Sequence, residues 1–596
     1  MNWSPVDGRI RDGNSLIIEN ENSVGSLMEI RTSMQQFSRP VRRLPLRREP
    51  HRRGSVLLII LVLVTMLALG VYTFTEVSIT EARATAMFGR GVQTRSFAES
   101  GVSVTLALLG SPIEETGGDF YDLPEFFQGV LLREADTARG RGRFSVVSPL
   151  ENDSSASSVR FGLVDESGRL NVNKIVEFGL DEEQSRELLL YLPDMTLDIA
   201  DAILDWIDDD IKTRQHGAED NYYSSLPEPY YAANAPLESL DELLLIRDMT
   251  PVLLYGEDQN RNGLLEPSED DGDGIIQRGW STYLTVFSRE ANRRSDGSAR
   301  INLNQESLAD LFDELEQEFD EDTARFVTAY RMNGSNQSQQ NGRTSSSASE
   351  AGQTESSQTS SETNSSVEGG SPEQSNAEST SEAQGGGSGS SEEGEKVTRG
   401  GMDLSAGAKV TIKTIYELID VQVEATVNNG RASLVSPWSS DSARMREYLP
   451  DVTDKLSITA DEMIMGRINV NRCSREVLSG LPGMTEEIAN NIVGTRVIGS
   501  SGQQLSNALD SHATTAWLMN EGVLTLEQMR ALDPYVTARG DAYRAQVVGY
   551  FDEGGPITRL EVVVDAVKQP PEILFQRDLS DLGTGYSNIQ YLSDLD

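Results

Sequence analysis

Residues 55–74, SVLLIILVLVTMLALGVYTF, form an uncharged apolar run that decides how the rest of the chain is organised. At a rise of about 1.5 Å per residue, a helix of this length covers roughly 30 Å, the thickness of a bilayer's hydrocarbon core. Arginines are concentrated just before the run, between Arg39 and Arg53. Because such residues stay cytoplasmic, we expect one membrane span with a cytoplasmic N-terminus. A cleaved secretory signal is the alternative, although its apolar region is shorter, about 7 to 15 residues.

The segment after this span has the pattern of an amphipathic helix. Residues 75–109 contain no proline, and apolar residues recur among Glu, Arg, Ser and Thr at helical spacing. The span should therefore continue outside the membrane as a stem. Pro112 and the pair Gly117-Gly118 are expected to stop the helix.

The start of this helix resembles a known family. The sequence RRGSVLLI at 52–59, followed by Ala98-Glu99-Ser100-Gly101 in the stem, is similar to type IV pilins and type II secretion pseudopilins. The resemblance implies that a prepilin peptidase cuts after Gly54, so that Ser55 becomes the first residue and the apolar segment is kept. It divides the N-terminal region into a basic leader (1–54), a transmembrane part (55–74), and a stem with the first strands (75–160).

One position in the apolar run departs from the usual pattern of that family. Most members carry glutamate at the fifth mature position, where this chain has Ile59. A carboxylate within hydrocarbon is costly unless it has a partner, which in these filaments is a neighbouring subunit's terminal amine. The K-type minor pseudopilin typically lacks the glutamate, has an oversized head and is thought to sit at the filament tip. Ile59 fits that member.

A second stretch resembles the helical insert of the K-type pseudopilin more specifically. The motifs occur in the order Asp-Trp-x-Asp (205–208), Gly-Ala-Glu-x-x-Tyr (217–222) and Asn-x-Pro-Leu (234–237), before an acidic, leucine-rich helix. The resemblance implies an inserted helical domain over 161–256. The acids at 205 and 208–210 read as a solvated helix end.

An internal repeat indicates duplication within the outer portion. Residues 192–203 match 481–492 at several positions, each copy follows Asn-Val-Asn, and Asn302-Leu303-Asn304 opens another helix. The repeated unit also resembles a helix-hairpin-helix, which in other proteins binds DNA phosphates at a helix start. Here acids such as Asp194 and Glu486 surround the position where a phosphate would bind. Their negative charge would repel it, so we expect no nucleic acid as a partner.

A calcium-binding loop is predicted at 257–274. Residues 258–269 match the pattern D-x-[DN]-x-[DN]-G-x5-E, in which alternate side chains converge on one ion and glycine allows the sharp turn. The acids at 270–273 supply oxygens either for a second ion or for a solvated turn, and the sequence does not choose between these. The expected Ca²⁺ ligands are Asp258, Asn260, Asn262, the Leu264 carbonyl, Glu269, Asp271 and Asp273.

The remaining segments complete an α+β fold. Strand and helix are expected at 275–332, a disordered Ser/Gly/Glu linker at 333–400, strands at 401–464, a second helical hairpin at 465–530, and antiparallel strands with a tail at 531–596. The three runs starting at Tyr535, Tyr543 and Thr558 should form a meander against the stem, as in pilins. The fold class is thus a transmembrane stem helix with a pilin-like antiparallel sheet, inserted helix-hairpin-helix-like domains and a disordered linker.

Composition disfavours an enzyme. The net charge of −43 opposes binding of phosphate backbones, a single cysteine (Cys473) excludes an internal disulfide, and there are only three histidines. The resemblance implies a non-catalytic minor pseudopilin that supports protein export, anchored in the inner membrane with most of the chain periplasmic. Its expected partners are other minor pseudopilins, the secretion platform and the prepilin peptidase. The alternatives are a membrane-anchored calcium-dependent adhesion protein and a helix-hairpin-helix DNA-uptake protein.

Overall fold

A computed structural model of the chain describes residues 55–111, 119–150, 158–335, 397–496 and 511–586. The predicted leader, including Gly54, lies outside these ranges, as do most of the predicted linker and the last ten residues. The chain divides into two compact units, Met1–Thr80 and Glu81–Asp596, which are described separately.

The described part of the first unit is helical throughout. It belongs to helix Ser55–Leu109, which is long and apolar enough to cross a membrane. Large side chains along its first turns are mostly exposed, for example Leu57 and Phe74, each at 73%. Apolar exposure of this extent is the pattern of a helix that faces lipid.

The second unit contains a seven-stranded sheet, and each of its strand pairs is antiparallel. Two of the seven are short: Val159–Arg160 pairs with Gly142–Pro149, and Val164–Asp165 pairs with Ala542–Phe551. A long apolar N-terminal helix with an antiparallel sheet confirms the predicted α+β class at that level. Along the sheet the main strands follow the order Val130–Arg133, Gly142–Pro149, Ala542–Phe551, Thr558–Asp565 and Glu572–Asp578.

The two faces of this sheet differ in chemistry because side chains alternate along each strand. On one face, Ala545, Val547 and Val562 join an apolar core that also contains Ala98 and Val102 of the stem helix. The opposite face carries charged side chains that are nevertheless buried, such as Arg559 and Glu561. The sheet therefore packs on the stem by apolar contact and on the rest of the unit through charges.

Glycines bring the stem helix unusually close to the sheet. A methyl group added at Gly549 would lie 2.1 Å from the carbonyl oxygen of Thr94 and 2.7 Å from the amide nitrogen of Ala98. Similarly, a methyl group at Gly142 would lie 2.2 Å from the Phe97 ring. The Thr94 hydroxyl also hydrogen-bonds that of Thr558 at 3.0 Å. Helix backbone thus rests directly on strand backbone.

The helical part of the second unit is built from three similar modules. Each begins with a two-residue strand that ends at the first asparagine of an Asn-x-Asn tripeptide and pairs in parallel with a strand much later in the chain. The pairs are Leu170–Asn171 with Leu284–Thr285, Ile301–Asn302 with Leu456–Ser457, and Ile468–Asn469 with Val536–Thr537. A helical hairpin follows each opening strand: Glu182–Leu190 with Leu197–Ile207, Leu308–Glu318 with Glu321–Asn333, and Arg475–Ser479 with Glu486–Thr495.

The asparagines explain why the tripeptide recurs. The first asparagine side chain accepts a hydrogen bond from the backbone amide of the second, at 3.2, 2.9 and 2.9 Å in the three modules. The second then holds a distant segment: Asn173 bonds both backbone groups of Leu237, and Asn304 bonds both of Ile412. Each module is therefore closed by carboxamides that satisfy buried backbone groups.

Parallel pairing in the modules corrects part of the predicted meander. The run starting at Tyr535 was expected beside the two long C-terminal strands, but Val536–Thr537 pairs with Ile468–Asn469 in the third module. The segment 401–464, predicted as strands, also contains helix Ser442–Lys455. The edges of the predicted linker are ordered, since helix Glu321–Asn333 ends at its start and strand Thr398–Arg399 lies before its end.

The remaining strands and helices of the second unit are short. Additional antiparallel pairs are Arg289–Ala291 with Met463–Met465, Thr398–Arg399 with Met402–Asp403, and Gln422–Val427 with Gly430–Val435. Short helices span Pro124–Phe127, Asp220–Tyr223, Pro251–Tyr255, Trp517–Asn520 and Leu526–Leu532.

Candidate functional site

The predicted calcium loop lies on the charged face of the sheet. Arg559 Nη2 donates to the carbonyl oxygens of Asn260 and Arg261, both at 2.9 Å, and Gln546 Nε2 donates to the Arg261 carbonyl at 2.7 Å. The Tyr586 hydroxyl donates to Gln546 Oε1 at 2.6 Å, which orients that amide. Two strands and the C-terminal segment thus hold one side of the loop in a fixed position.

Asp258 begins the loop and closes its turn. Its carboxylate accepts hydrogen bonds from the amides of Asn262 at 3.0 Å and Gly263 at 2.9 Å. Gly263 has φ +76°, and a methyl group there would lie 2.7 Å from Cβ of Pro149. Both the left-handed backbone and the nearby proline therefore require glycine. Burial raises the pKa of Asp258, although these amides oppose the rise.

Asn260 and Glu269 face the same part of the loop. Glu269 Oε1 accepts from the Asn260 amide at 3.2 Å, and Asn260 Nδ2 donates to Glu266 Oε2 at 2.9 Å. Asn260 Oδ1 is buried and finds no hydrogen-bond donor among the described residues. Burial raises the pKa of Glu269, and the charge of Asp258 raises it further. An orphaned oxygen beside crowded carboxylates fits a cation that prefers oxygen ligands.

Other predicted ligands are used differently. Asn262 Oδ1 accepts from the Leu264 amide at 2.7 Å, while its Nδ2 donates to Glu266 Oε1 and to the Gly585 carbonyl. The side chain of Asn262 therefore supports the loop in this arrangement and would have to turn to reach an ion.

Asp271 and Asp273 lie in the turn that follows the loop. One carboxylate oxygen each of Asp270, Asp271 and Asp273 lies within 4.8 Å of the others. Each carboxylate accepts backbone amides of the same turn, for example Gly272 to Asp270 at 2.8 Å and Ile275 to Asp273 at 2.7 Å. All three are at least partly exposed. Both earlier readings of the turn, a second ion or a solvated turn, agree with this geometry.

A second acidic cluster lies in the first module, where the sequence predicted only a solvated helix end. Oxygens of Asp208, Asp210 and Glu219 lie within 4.8 Å of one another. Glu219 is 2% exposed, and neither of its carboxylate oxygens has a hydrogen-bond partner among the described residues. Asp208 Oδ1 is likewise buried and unpartnered there. Three orphaned oxygens in one place are the signature of a missing donor or cation.

The pKa shifts in this cluster also indicate that a cation or a hydrogen-bond donor is missing. Burial, together with the charges of Asp205 and Asp208, raises the pKa of Glu219 to about 7. Asp205 is fully buried rather than solvated, which corrects the earlier reading. In the described ranges, Arg214 is the one cation paired with this group, bonding both Asp205 and Asp208. The sequence did not indicate Glu219 as a ligand, because no motif near it shows that the segment at Gly217 packs against Asp205.

The lone cysteine offers no reactive group. Cys473 is fully buried in the third module, and burial raises the pKa of its thiol to about 12. A thiol of that pKa stays protonated at neutral pH and is a poor nucleophile.

Comparison with known proteins relates the first module to one family. Residues 168–255 match the model described as "Type II secretion system (T2SS), protein K", first domain. A solved structure, the GspK-GspI-GspJ complex from the type 2 secretion system of enterotoxigenic Escherichia coli, aligns with 84% of this chain and 99% of its own. That alignment has 9% identity and a TM-score of 0.32. Comparison with curated proteins gives no match.

The matched segment contains the motifs on which the resemblance was based, including the Asp-Trp-x-Asp and Gly-Ala-Glu stretches. It covers the opening strand and the helical hairpin of the first module and ends at helix Pro251–Tyr255, before the closing strand Leu284–Thr285. The first module is thus similar to the first domain of protein K of type II secretion systems, and the predicted resemblance is confirmed over residues 168–255.

Proposed function

We propose that this protein is a K-like minor pseudopilin, held in the inner membrane by residues 55–74 and exposed to the periplasm beyond them. It would be processed after Gly54 and would pack with other minor pseudopilins through its stem helix. Its role in export would be structural, at the tip of the pseudopilus.

The observation that carries this proposal is the exposed apolar surface of the stem beyond the membrane-length run. Met87, Phe88 and Val92 are 60%, 76% and 52% exposed, although their helix packs on the sheet a few residues later. Large apolar side chains exposed to water on a soluble part of a protein usually mark a surface that binds a partner. Helices of companion subunits would cover them in a bundle packed by ridges and grooves.

Two further features support the tip position. Ile59 replaces the glutamate that would pair with a neighbouring subunit's terminal amine. The subunit therefore does not require a neighbour whose terminal amine contacts this position. The three modules make a head far larger than one sheet, which would hinder addition of a further subunit above it.

Replacing Phe88 by aspartate should abolish co-purification with the other minor pseudopilins while leaving the protein in the membrane fraction. A carboxylate in a helix interface loses its hydration, at a cost of several kcal/mol. The measurement is pull-down of the tagged full-length protein from detergent-solubilised membranes. The matched control is Thr85→Asp, at an exposed polar position of the same helix. Equal recovery of companions with Phe88→Asp would contradict the proposal.

We also propose that the head binds divalent cations, with calcium favoured because all available ligands are oxygens. The loop at 258–269 would take one ion through Asp258, Asn260 and Glu269. The Asp208, Asp210 and Glu219 cluster would take another, with water completing the shell on the exposed Asp210 side. Both ions would neutralise buried carboxylates and join segments of a module.

Calcium titration of the full-length protein by calorimetry should therefore resolve two classes of site. Glu219→Gln should remove one and Asp258→Asn the other, because each substitution takes a buried charged ligand from a different place. Asp209→Asn, at the exposed acid between two cluster members, should keep both. An unchanged number of ions in folded Glu219→Gln and Asp258→Asn proteins would refute the two sites separately.

A further inference from the structure

A cavity of about 240 Å³ lies where the second and third modules meet. Its walls include Leu456 and Ser457 from the closing strand of the second module and Thr537 from that of the third. Apolar side chains such as Ile415 and Ile464 also line it. The proposed assembly role leaves this cavity unused.

Three arginines, Arg300, Arg467 and Arg539, line the same cavity, in a protein whose net charge is −43. Arg467 is neutralised within the fold: it pairs with Glu290 at 2.8 Å and with Asp533 at 3.6 Å. Those two acids are also bonded by hydroxyl groups, Glu290 by Thr537 and Asp533 by Thr414. Both acids are therefore committed to partners already.

The other two arginines have no acid partner in the described parts of the chain. Arg300 Nε donates to the Asp454 carbonyl at 3.0 Å, and no described group accepts a bond from its two Nη atoms. Arg539 donates through Nη2 to the carbonyls of Ala291 and Arg293, and its buried Nε finds no acceptor there. Carbonyl groups satisfy hydrogen bonds but do not neutralise charge.

Two guanidinium groups close together in a partly buried space repel each other. Burial, together with the charges of Arg539 and Arg467, lowers the pKa of Arg300 to about 10, although the charges of Glu290 and Asp454 oppose the fall. A protein keeps such an arrangement at a cost in stability unless an anion offsets it.

We propose that the cavity between the second and third modules binds a small carboxylate, with its charge on Arg300 and Arg539 and its aliphatic part against the apolar wall. Guanidinium groups bind carboxylates through charge-assisted hydrogen bonds, and free Nη atoms are available on Arg300. The apolar lining favours a short aliphatic acid over a fully hydrated inorganic anion. The ligand would add a link between the two modules across the cavity.

Sodium butyrate should raise the thermal unfolding midpoint of the full-length protein, with ionic strength held constant by sodium chloride. Butyramide, which has the same shape without the charge, should leave the midpoint unchanged. Arg300→Gln should weaken the apparent affinity for butyrate by about tenfold or more, because a charge-assisted bond is lost. Arg293→Gln, at an exposed neighbouring arginine, should respond as the wild type does.

Three results would overturn the assignment: stabilisation by inorganic phosphate without stabilisation by butyrate, an equal effect of butyramide, or an unaltered butyrate response in Arg300→Gln. If Arg300→Gln does not fold, Arg539→Gln provides the same test from the other side of the cavity. Pull-down of companion pseudopilins should not depend on butyrate, so failure here leaves the assembly proposal standing.

Discussion

Replacing Arg544 by leucine should lower the free energy of unfolding by about 3–5 kcal/mol, the usual cost of breaking a buried ion pair by removing one partner. Arg544 joins the charged face of the sheet to the first module. Its guanidinium bonds Glu166 at 2.8 and 3.1 Å and Glu561 at 2.7 Å. Glu166 is fully buried, so the substitution leaves its carboxylate with Arg169 and the Thr285 hydroxyl as its remaining partners in the part of the chain that the structure describes.

The direction of the pKa shifts supports this expectation. Burial alone would raise the pKa of Glu561, but Arg544 and Arg577 outweigh it and hold the value at about 2. The pKa of Glu166 is lowered in the same way, with Arg544 and Arg169 opposing burial. Both carboxylates are thus kept ionised by their arginines. When Arg544 is removed, the unfavourable free energy of burying these charges is no longer offset.

Urea unfolding of the full-length protein measures the effect, and acid titration checks its cause. A carboxylate with a depressed folded pKa adds stability that is complete above its unfolded pKa, about 4.3, and is lost as pH falls towards about 2. Wild-type stability should fall in that window, and less so in Arg544→Leu. Arg95→Leu is the matched control, because its pairs with Glu99 and Asp578 are exposed and should contribute at most about 1 kcal/mol. Equal losses in both variants would contradict this account.

Substituting Gly549 by alanine should separate the stem helix from the sheet or destabilise their packing by about 3 kcal/mol. The added methyl group would lie 2.1 Å from the Thr94 carbonyl oxygen and 2.7 Å from the Ala98 amide nitrogen. Both are backbone atoms, so no side-chain rotation can make room. Hydrogen exchange of the stem amides around Thr94 and Ala98 should become faster.

Gly91→Ala provides the control from the same helix. A methyl group at Gly91 meets no atom within 4 Å, and alanine is favoured over glycine in a helix interior by about 1 kcal/mol. This variant should be neutral or slightly more stable. Slow exchange of the stem amides in Gly549→Ala would show that the helix does not rest on the sheet as described.

Local sequence patterns predicted the features that depend on neighbours in the chain. The apolar run at 55–74 and the continuous helix after it follow from composition and spacing alone. The helical hairpin at 192–203 was indicated by the internal repeat, and Thr196 caps its second helix. Asn302-Leu303-Asn304 was recognised as a further copy of the tripeptide, and the structure gives it a complete module.

What the sequence did not predict depends on long-range pairing. Val536–Thr537 is a two-residue strand whose parallel partner lies far earlier in the chain, so alternation alone could not distinguish it from the meander. Glu219 is buried where the segment at Gly217 packs against Asp205, whereas the sequence around it reads as polar. The arginines of the 240 Å³ cavity come from separate segments and form no motif.

The mature N-terminus of the protein purified from native membranes tests the central claim most directly. Mass spectrometry of the intact chain and of its N-terminal peptide should show that it begins at Ser55, with residues 55–74 retained as the start of the stem. An N-terminus upstream of Gly54, or one beyond Phe74, would contradict the proposal that this chain is a processed pseudopilin.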